Sequence, residues 1–307
     1  MDFLVVGPGA MGCLFAASLK KAGLGVTLLD YRPDRAAEMD LSGICVQGVT
    51  GEYEIRIPAT TGPLAADPDF VLICVKSNRT EAAGRTVREL VQGQPMVVTL
   101  QNGLGHVETL ERIFGRGRVL GGVTSEGATL LETGQVRHAG RGETVVGPRK
   151  EPPGAADRLA EAFTRAGFQT RAVDQVRELI WGKLIVNVGI NALTALTRLR
   201  NGRLPEVPGT LKVMEKAVAE AAAVAGAKGI RLPYADPLDR VIEVCRATSD
   251  NTASMLQDVL KERVTEVDYI NGAITREGRA LGVPSPVNET LTALVQALQE
   301  TYGERIG

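Results

Sequence analysis

Histidine is nearly absent from this 307-residue chain, with His106 and His138 the only two. Two isolated imidazoles do not make a histidine-based zinc centre. Cysteine is sparse as well: Cys13, Cys45, Cys74 and Cys245 stand singly, in apolar surroundings and without CxxC spacing. That pattern speaks against a metal site or a disulfide framework and for reduced thiols in a cytoplasmic compartment. An excess of one charge is lacking, since the formal net charge is -1. Without a basic footprint, nucleic acid is not an expected partner. No uninterrupted apolar run reaches the ~18 residues of a membrane span, and the opening MDFLVVG lacks the basic region and long apolar run of a secretory signal. Low-complexity segments and internal repeats are absent. What is present, 44% hydrophobic and 23% charged residues, is the composition of a soluble globular protein long enough for two cores.

The first half alternates strand-length apolar runs with helical patterns. Residues 3–7 form a buried run followed at once by Gly7-Pro8-Gly9-Ala10-Met11-Gly12 and a helical pattern over 13–22. GxGxxG between a strand and a helix is a dinucleotide-binding signature. Its glycines permit the tight turn, the approach of a pyrophosphate to backbone and close packing of helix on strand, and the helix N-terminus favours the anion. A second run, Val26–Leu29, ends at Asp30, which suits the ribose hydroxyls of NADH. Arg32 and Arg35 just beyond suit the extra phosphate of NADPH or are solvated loop charges. Further strands are expected over 70–75 and 96–100, with helices over 78–91 and 104–114. Lys76 and Gln101-Asn102-Gly103 come directly after those strands, at the edge where open α/β sheets bind ligands. The alternative for Lys76 is a solvated strand end, and for Asn102 a turn residue. Residues 119–124 and 143–146 read as antiparallel strands extending the sheet, 155–166 as a helix and 168–173 as a last strand. The expected fold is therefore α/β, a Rossmann-type doubly wound sheet over 1–172.

The second half, 173–307, reads as an all-α domain, helical from Asp174 to Ile306. Helices are expected at 174–199, 207–226, 236–247, 254–261, 264–281 and 286–303, with prolines near their ends. The segment WGKLIVNVGIN at 181–191 sets Lys183, Asn187 and Asn191 four residues apart on an otherwise apolar stretch. Each step of four turns the helix by only about 40°, so the three side chains share one edge. A buried lysine and buried amides are costly without partners. Either Lys183 snorkels out and backbone satisfies the asparagines, or a polar ligand in a cleft between the domains completes them. Ser254 opens a helix as an N-cap candidate, Glu266 and Asp268 fit the first-turn dipole of another, and Asn201-Gly202 looks like a turn.

In their joint order, GPGAMG at 7–12, Lys76, QNG at 101–103, WGKLIVNVGIN at 181–191, NG at 201–202, SMLQD at 254–258 and TEVDYINGAI at 265–274 resemble the ketopantoate reductases (2-dehydropantoate 2-reductases) over essentially the whole chain. The resemblance implies a 6-phosphogluconate dehydrogenase-like helical second domain and NADP(H)-dependent reduction of 2-dehydropantoate to (R)-pantoate, toward pantothenate and coenzyme A. It implies Lys183 as general acid and Glu266 as the residue orienting the reacting groups. Substrate would be held by Asn102, Asn187, Asn191, Asn201 and Ser254. Cofactor would be lined by Gly7, Pro8, Gly9, Ala10, Met11, Gly12, Asp30, Arg32, Lys76, Asn102, Ala128 and Glu266. The chemistry agrees, since charge building on a carbonyl oxygen calls for a proton donor. Family members commonly carry an arginine just past the second strand, where Asp30-Tyr31 stands here, so NAD(H) use remains open. Competing readings are a related 2-oxo acid or opine-type dehydrogenase and a non-catalytic NADP(H)-sensing protein. A homodimer is a family-level expectation only, because the helices show no a/d heptad seam. Neither membrane nor nucleic acid is an expected partner.

Overall fold

The computed structural model describes residues 1–148 and 154–304; Ile306, the expected end of the helical half, lies outside them. The chain forms two compact units, Met1–Gln101 with His106–Val176, and Asn102–Gly105 with Arg177–Gly307.

The first unit begins with β1 (Asp2–Val6), α1 (Ala10–Lys21), β2 (Gly25–Leu29), α2 (Pro33–Ser42), β3 (Ile44–Gly48), β4 (Tyr53–Ile55), β5 (Ala59–Thr60) and β6 (Phe70–Ile73). It continues with α3 (Thr80–Leu90), β7 (Met96–Thr99), α4 (His106–Phe114), β8 (Val119–Thr124), β9 (Gly127–Glu132), β10 (Gln135–Gly140), β11 (Thr144–Gly147), α5 (Ala155–Arg165) and β12 (Thr170–Ala172). Among the described residues the main sheet runs β12-β11-β8-β7-β6-β1-β2-β5, parallel except where β11 meets β8. Both faces of β1 are buried, which is why its sequence is a continuous apolar run. Phe3 and Val5 join Phe15 of α1 and Phe163 of α5, while Leu4 and Val6 join Val87 of α3 and Leu110 of α4.

The strands expected over 119–124 and 143–146 do extend the main sheet as β8 and β11; β11 is antiparallel to β8, but β8 runs parallel to β7, and β9 and β10 between them have no counterpart among the expected strands. Those two pair with β3 and β4 in a second sheet ordered β4-β3-β10-β9. α1 packs against β3, β9 and β10, so Ile44, Val46 and Val136 bury the face of α1 turned from the main sheet. The four cysteines are free thiols, of which Cys13 and Cys245 are buried and Cys45 is exposed.

The second unit contains α6 (Arg177–Thr197), α7 (Pro208–Ala227), α8 (Pro237–Ala247), α9 (Ser254–Leu260), α10 (Asn271–Leu281) and α11 (Pro286–Glu300). α6 meets the length and hydropathy of a membrane span, yet 67% of that window is buried inside the protein, packed against α7, α8, α9 and α11. Gly189 permits this crowding, for a Cβ there would lie 2.7 Å from Val241 and 3.0 Å from Val218. The single helix expected over 264–281 is broken. Val267–Tyr269 is a 3-10 turn and α10 starts at Asn271, so Glu266 and Asp268 do not lie in the first turn of α10. Ile270, at φ -107° and ψ -91°, makes the break, and Asn271 anchors the start of α10: its Nδ2 donates to Val188 O of α6 at 3.3 Å and to Asn288 Oδ1 at 3.0 Å. Asn288 Nδ2 in turn donates to Ala217 O and to Glu220 Oε2.

Replacing Asn288 by Leu removes one of the two acceptors of the buried Asn271 amide and the side-chain donor to the half-buried Glu220 carboxylate, which keeps only its backbone donors. The Asn288→Leu protein should lose at least about 2 kcal/mol of stability, seen as a lower denaturation midpoint with an unchanged slope; an unaltered midpoint would contradict the role given to this network.

Candidate active site

In the first unit β1 lies between β2 and β6, so consecutive connections leave β1 in opposite directions. Such a switch point opens a crevice at the carboxyl ends of the strands. The Gly7–Gly12 turn comes after β1, and Lys76 comes after β6, exposed at its end. The three glycines of the turn are required for different reasons. Gly7 holds φ +90°, and a Cβ on it would meet Val75 at 2.6 Å; a Cβ on Gly12 would lie 2.2 Å from Gly7 O. A Cβ on Gly9 would meet nothing within 4 Å. Gly9 is also the N-cap of α1, with no side-chain cap, and the first N–H groups of a helix have no intrahelical acceptor. Pro8 is buried and Ala10 and Met11 are half-buried beside it. This cradle fits the pyrophosphate of a dinucleotide. Burial pushes the nearby Cys13 thiol up to about 12, so it supplies no thiolate nucleophile at neutral pH.

Asp30 and the two arginines are all engaged in ion pairs. Asp30 is 3% exposed, and its carboxylate is chelated by Arg35, whose Nη2 donates to Oδ1 at 2.7 Å and whose Nε donates to Oδ2. Arg32 is exposed and pairs with exposed Asp34. Arg35 and Arg79 both lie over the ring of Tyr31, at 5.7 and 5.2 Å from its centre. Arg79 and Tyr31 carried no signal in the sequence, because their meeting joins segments attached to different strands. Gln101 closes the β7 end: its Nε2 donates to Val75 O and to Thr80 Oγ1. Ala128 lies half-buried on β9, paired with His138 of β10.

In the second unit Lys183, Asn187 and Asn191 lie on α6 as their spacing predicts, with Asn191 buried and the other two half-buried. Desolvation draws the Lys183 ammonium down to about 8, and the Glu266 carboxylate opposes the drop. Lys183 and Glu266 therefore form an electrostatic pair, although they stand 83 positions apart in the numbering. Glu266 precedes the 3-10 turn, and its carbonyl accepts from Tyr269 N and Ile270 N. The Asn102–Gly105 loop belongs to this unit: Leu104 N donates to Tyr269 O at 3.0 Å, and a Cβ on Gly103 would lie 2.4 Å from that oxygen. The glycine of QNG is thus needed to seat the loop on the turn beyond Glu266.

Asn201 opens a 3-10 helix, Asn201–Glu206, and is 7% exposed. Its N–H donates to Asn251 O, and Nδ2 donates to Thr248 Oγ1 at 2.9 Å. Oδ1 is buried and accepts no hydrogen bond within the described residues. Ser254 is exposed and is the first residue of α9, not its cap; Ala253 holds that position and no side chain caps the helix. The hydroxyl is therefore not occupied by the capping role open to it in sequence. Thr248 had no sequence signal: its relevance lies only in its contact with Asn201.

Residues 3–151 match the family described as "Ketopantoate reductase PanE/ApbA", and residues 175–299 its C-terminal counterpart, "Ketopantoate reductase PanE/ApbA C terminal". A 2-dehydropantoate 2-reductase of Halobacterium salinarum is 37% identical over 305 residues, covering 97% of this chain and 99% of that protein. Among solved structures, the PanE/ApbA family ketopantoate reductase of Ralstonia eutropha JMP134 superposes with a TM-score of 0.91 at 32% identity, covering 99% of this chain and 100% of that one. The ternary structure of D-mandelate dehydrogenase with NADH and anilino(oxo)acetate gives 0.90 at 28% identity, with coverage of 99% and 100%.

The glycine geometry separates folding from binding. Gly12→Ala should cost about 1–3 kcal/mol of stability through overpacking. Gly9→Ala should leave stability within about 0.5 kcal/mol, yet weaken dinucleotide binding on the order of tenfold by filling the cradle. Thermal denaturation alongside a fluorescence titration with NADPH reads both, and a Gly9→Ala protein that binds normally would contradict the assignment.

Proposed function

The chain belongs to the ketopantoate reductase family, and from that premise we propose that it reduces the ketone of 2-dehydropantoate to (R)-pantoate with NADPH, a step of pantothenate and coenzyme A biosynthesis. The observation that carries the reading is Lys183, an ammonium drawn down to about 8 by burial on a polar edge of α6 and facing the charge of Glu266.

When bound, the dihydronicotinamide supplies the hydride. Lys183 Nζ donates a proton to the carbonyl oxygen as negative charge builds there. At pH 7 an ammonium with a pKa near 8 is still mostly protonated, yet gives up its proton more readily than an exposed lysine. Glu266 orients Lys183 and holds its proton in place. Asn187 and Asn191, on the same edge of α6, together with Asn102, Asn201 and Ser254, hold the substrate. Residues Gly7–Gly12, Lys76, Asn102 and Ala128 line the cofactor, with Glu266 close to its reacting end.

For the cofactor, the state of Asp30 supports NADP(H). Its carboxylate is chelated by Arg35, which neutralises the charge that would repel a 2′-phosphate and leaves Asp30 poorly placed to accept from ribose hydroxyls. Arg32, bound only through an exposed ion pair of small worth, can exchange Asp34 for that phosphate. The protein works in the cytoplasm on a small molecule, as a homodimer by analogy with its family.

Lys183→Ala should lose at least about two to three orders of magnitude in kcat with unchanged NADPH affinity. In the intact protein kcat/KM should be sustained below about pH 8 and fall above it as Lys183 deprotonates. In Glu266→Gln the charge that raises the lysine is gone, so the fall should move to lower pH. Activity assays across the neutral and alkaline range test this, and an unshifted alkaline limb would argue against Lys183 as the donor. Arg32→Ala should reduce kcat/KM with NADPH about 10- to 100-fold, the worth of a lost charged hydrogen bond, while NADH turnover changes little.

A further inference from the structure

We propose that Thr248 is a positioning residue that sets the hydrogen-bonding polarity of Asn201, making this site selective for 2-oxo acids that present a hydrogen-bond donor, a hydroxyl, to a buried acceptor. The inference rests on the reductase reading above.

An asparagine amide offers two donors and one oxygen, and its two ends are nearly isosteric, so the contacts decide which end faces which partner. Here they decide it through Thr248. Its hydroxyl has one proton, and that proton is given to Val244 O, 2.7 Å away and one turn back on α8. Toward Asn201 the hydroxyl oxygen can then only accept, which requires Nδ2 at that side, as observed at 2.9 Å. The backbone fixes the rest of the residue: Asn201 N is bonded to Asn251 O, and Gly202 N to Ser249 O at 3.1 Å. A side chain on Gly202 would strike Ser249 Oγ at 2.3 Å, so the 3-10 turn is seated tightly on the segment after α8. The outcome is an oxygen, Asn201 Oδ1, that is buried and accepts nothing within the described residues.

A buried acceptor left alone is costly. A ligand whose hydroxyl donates to it removes that cost, whereas one that carries an acceptor or an apolar group at the same point adds to it. Discrimination of this kind is strong, because it leaves the polar group of the protein unsatisfied in the wrong complex. The proposed substrate, 2-dehydropantoate, carries a hydroxyl at its far end from the carboxylate; the polarity of Asn201 makes that hydroxyl a required donor rather than a tolerated ornament.

The test compares three 2-oxo acids with the same branched carbon skeleton: the hydroxylated compound, its fluoro isostere, which cannot donate, and the deoxy compound. The intact protein should reduce the hydroxylated acid with a kcat/KM about 10- to 100-fold above the other two. Thr248→Val removes the acceptor that fixes Nδ2; it should lower kcat/KM for the hydroxylated acid alone, so that the ratios collapse toward one. Thr248→Ser keeps the oxygen and should restore them. Equal use of the fluoro and hydroxylated acids by the intact protein would overturn the proposal. So would a Thr248→Val protein that loses activity equally on all three, which is the mark of a merely structural residue. If no 2-oxo acid is reduced by a protein that binds NADPH, the reductase reading itself fails, and this inference falls with it.

Discussion

A desolvated ammonium on an otherwise apolar helix is the constraint around which the helical unit is arranged. Lys183 is drawn to about 8 by burial and lifted by Glu266. In sign, this means that the folded protein bears a penalty below about pH 8, where the charge is present in both folded and unfolded chains but poorly solvated in the folded one. The penalty fades as pH rises toward the ordinary lysine value of 10.5. A fold that keeps such a group must hold its counter-charge in place and recover the cost elsewhere. α6 does the second by packing against four other helices. The break at Ile270 does the first: a continuous helix through 264–281 would have made Glu266 part of a regular helical face, whereas the separate 3-10 turn leaves it pinned by its own carbonyl bonds and by the Asn271 anchor to Val188.

The same economy of contacts governs the first unit. Gly7 and Gly12 are forced by contact with Val75 and with each other, while Gly9 is forced by nothing among the described residues. A glycine that packing does not require, at the uncapped start of a helix, points to a partner outside the chain. Asp30 gives the complementary case. A buried carboxylate needs compensation, and Arg35 provides it, so the acid that the sequence alone would assign to ribose is already committed to the protein.

Elements whose residues carry their own periodicity were legible in the sequence. The buried strands β1, β2, β6 and β7 are apolar runs, and α6 to α9 end close to the prolines and breaks that mark them. The polar edge of α6 was legible for the same reason, since a spacing of four is a local property. The second sheet was not, because β3 finds β10 across roughly ninety positions, and short amphipathic strands look alike whichever partner they take. The turn at 267–269 was missed because its composition suits a helix start; only the conformation of Ile270 separates it. The bond from Asn201 to Thr248 was equally invisible, joining a loop to the end of α8 across 47 positions.

Two buried amide oxygens, of Asn201 and Asn271, accept no bond within the described residues, and their surroundings distinguish them. Asn271 is wholly enclosed, and both bonds of its Nδ2 tie secondary-structure elements together, so its orphan oxygen is left over from a packing solution. Asn201 lies just past the end of α6, and its Nδ2 is held by a hydroxyl whose only proton is used elsewhere. There the orphan is not a remnant of packing, because the surrounding bonds specifically present the oxygen and not the nitrogen. An acceptor presented in that way is an incomplete hydrogen bond, and the half that completes it is most simply supplied by the molecule on which the protein acts.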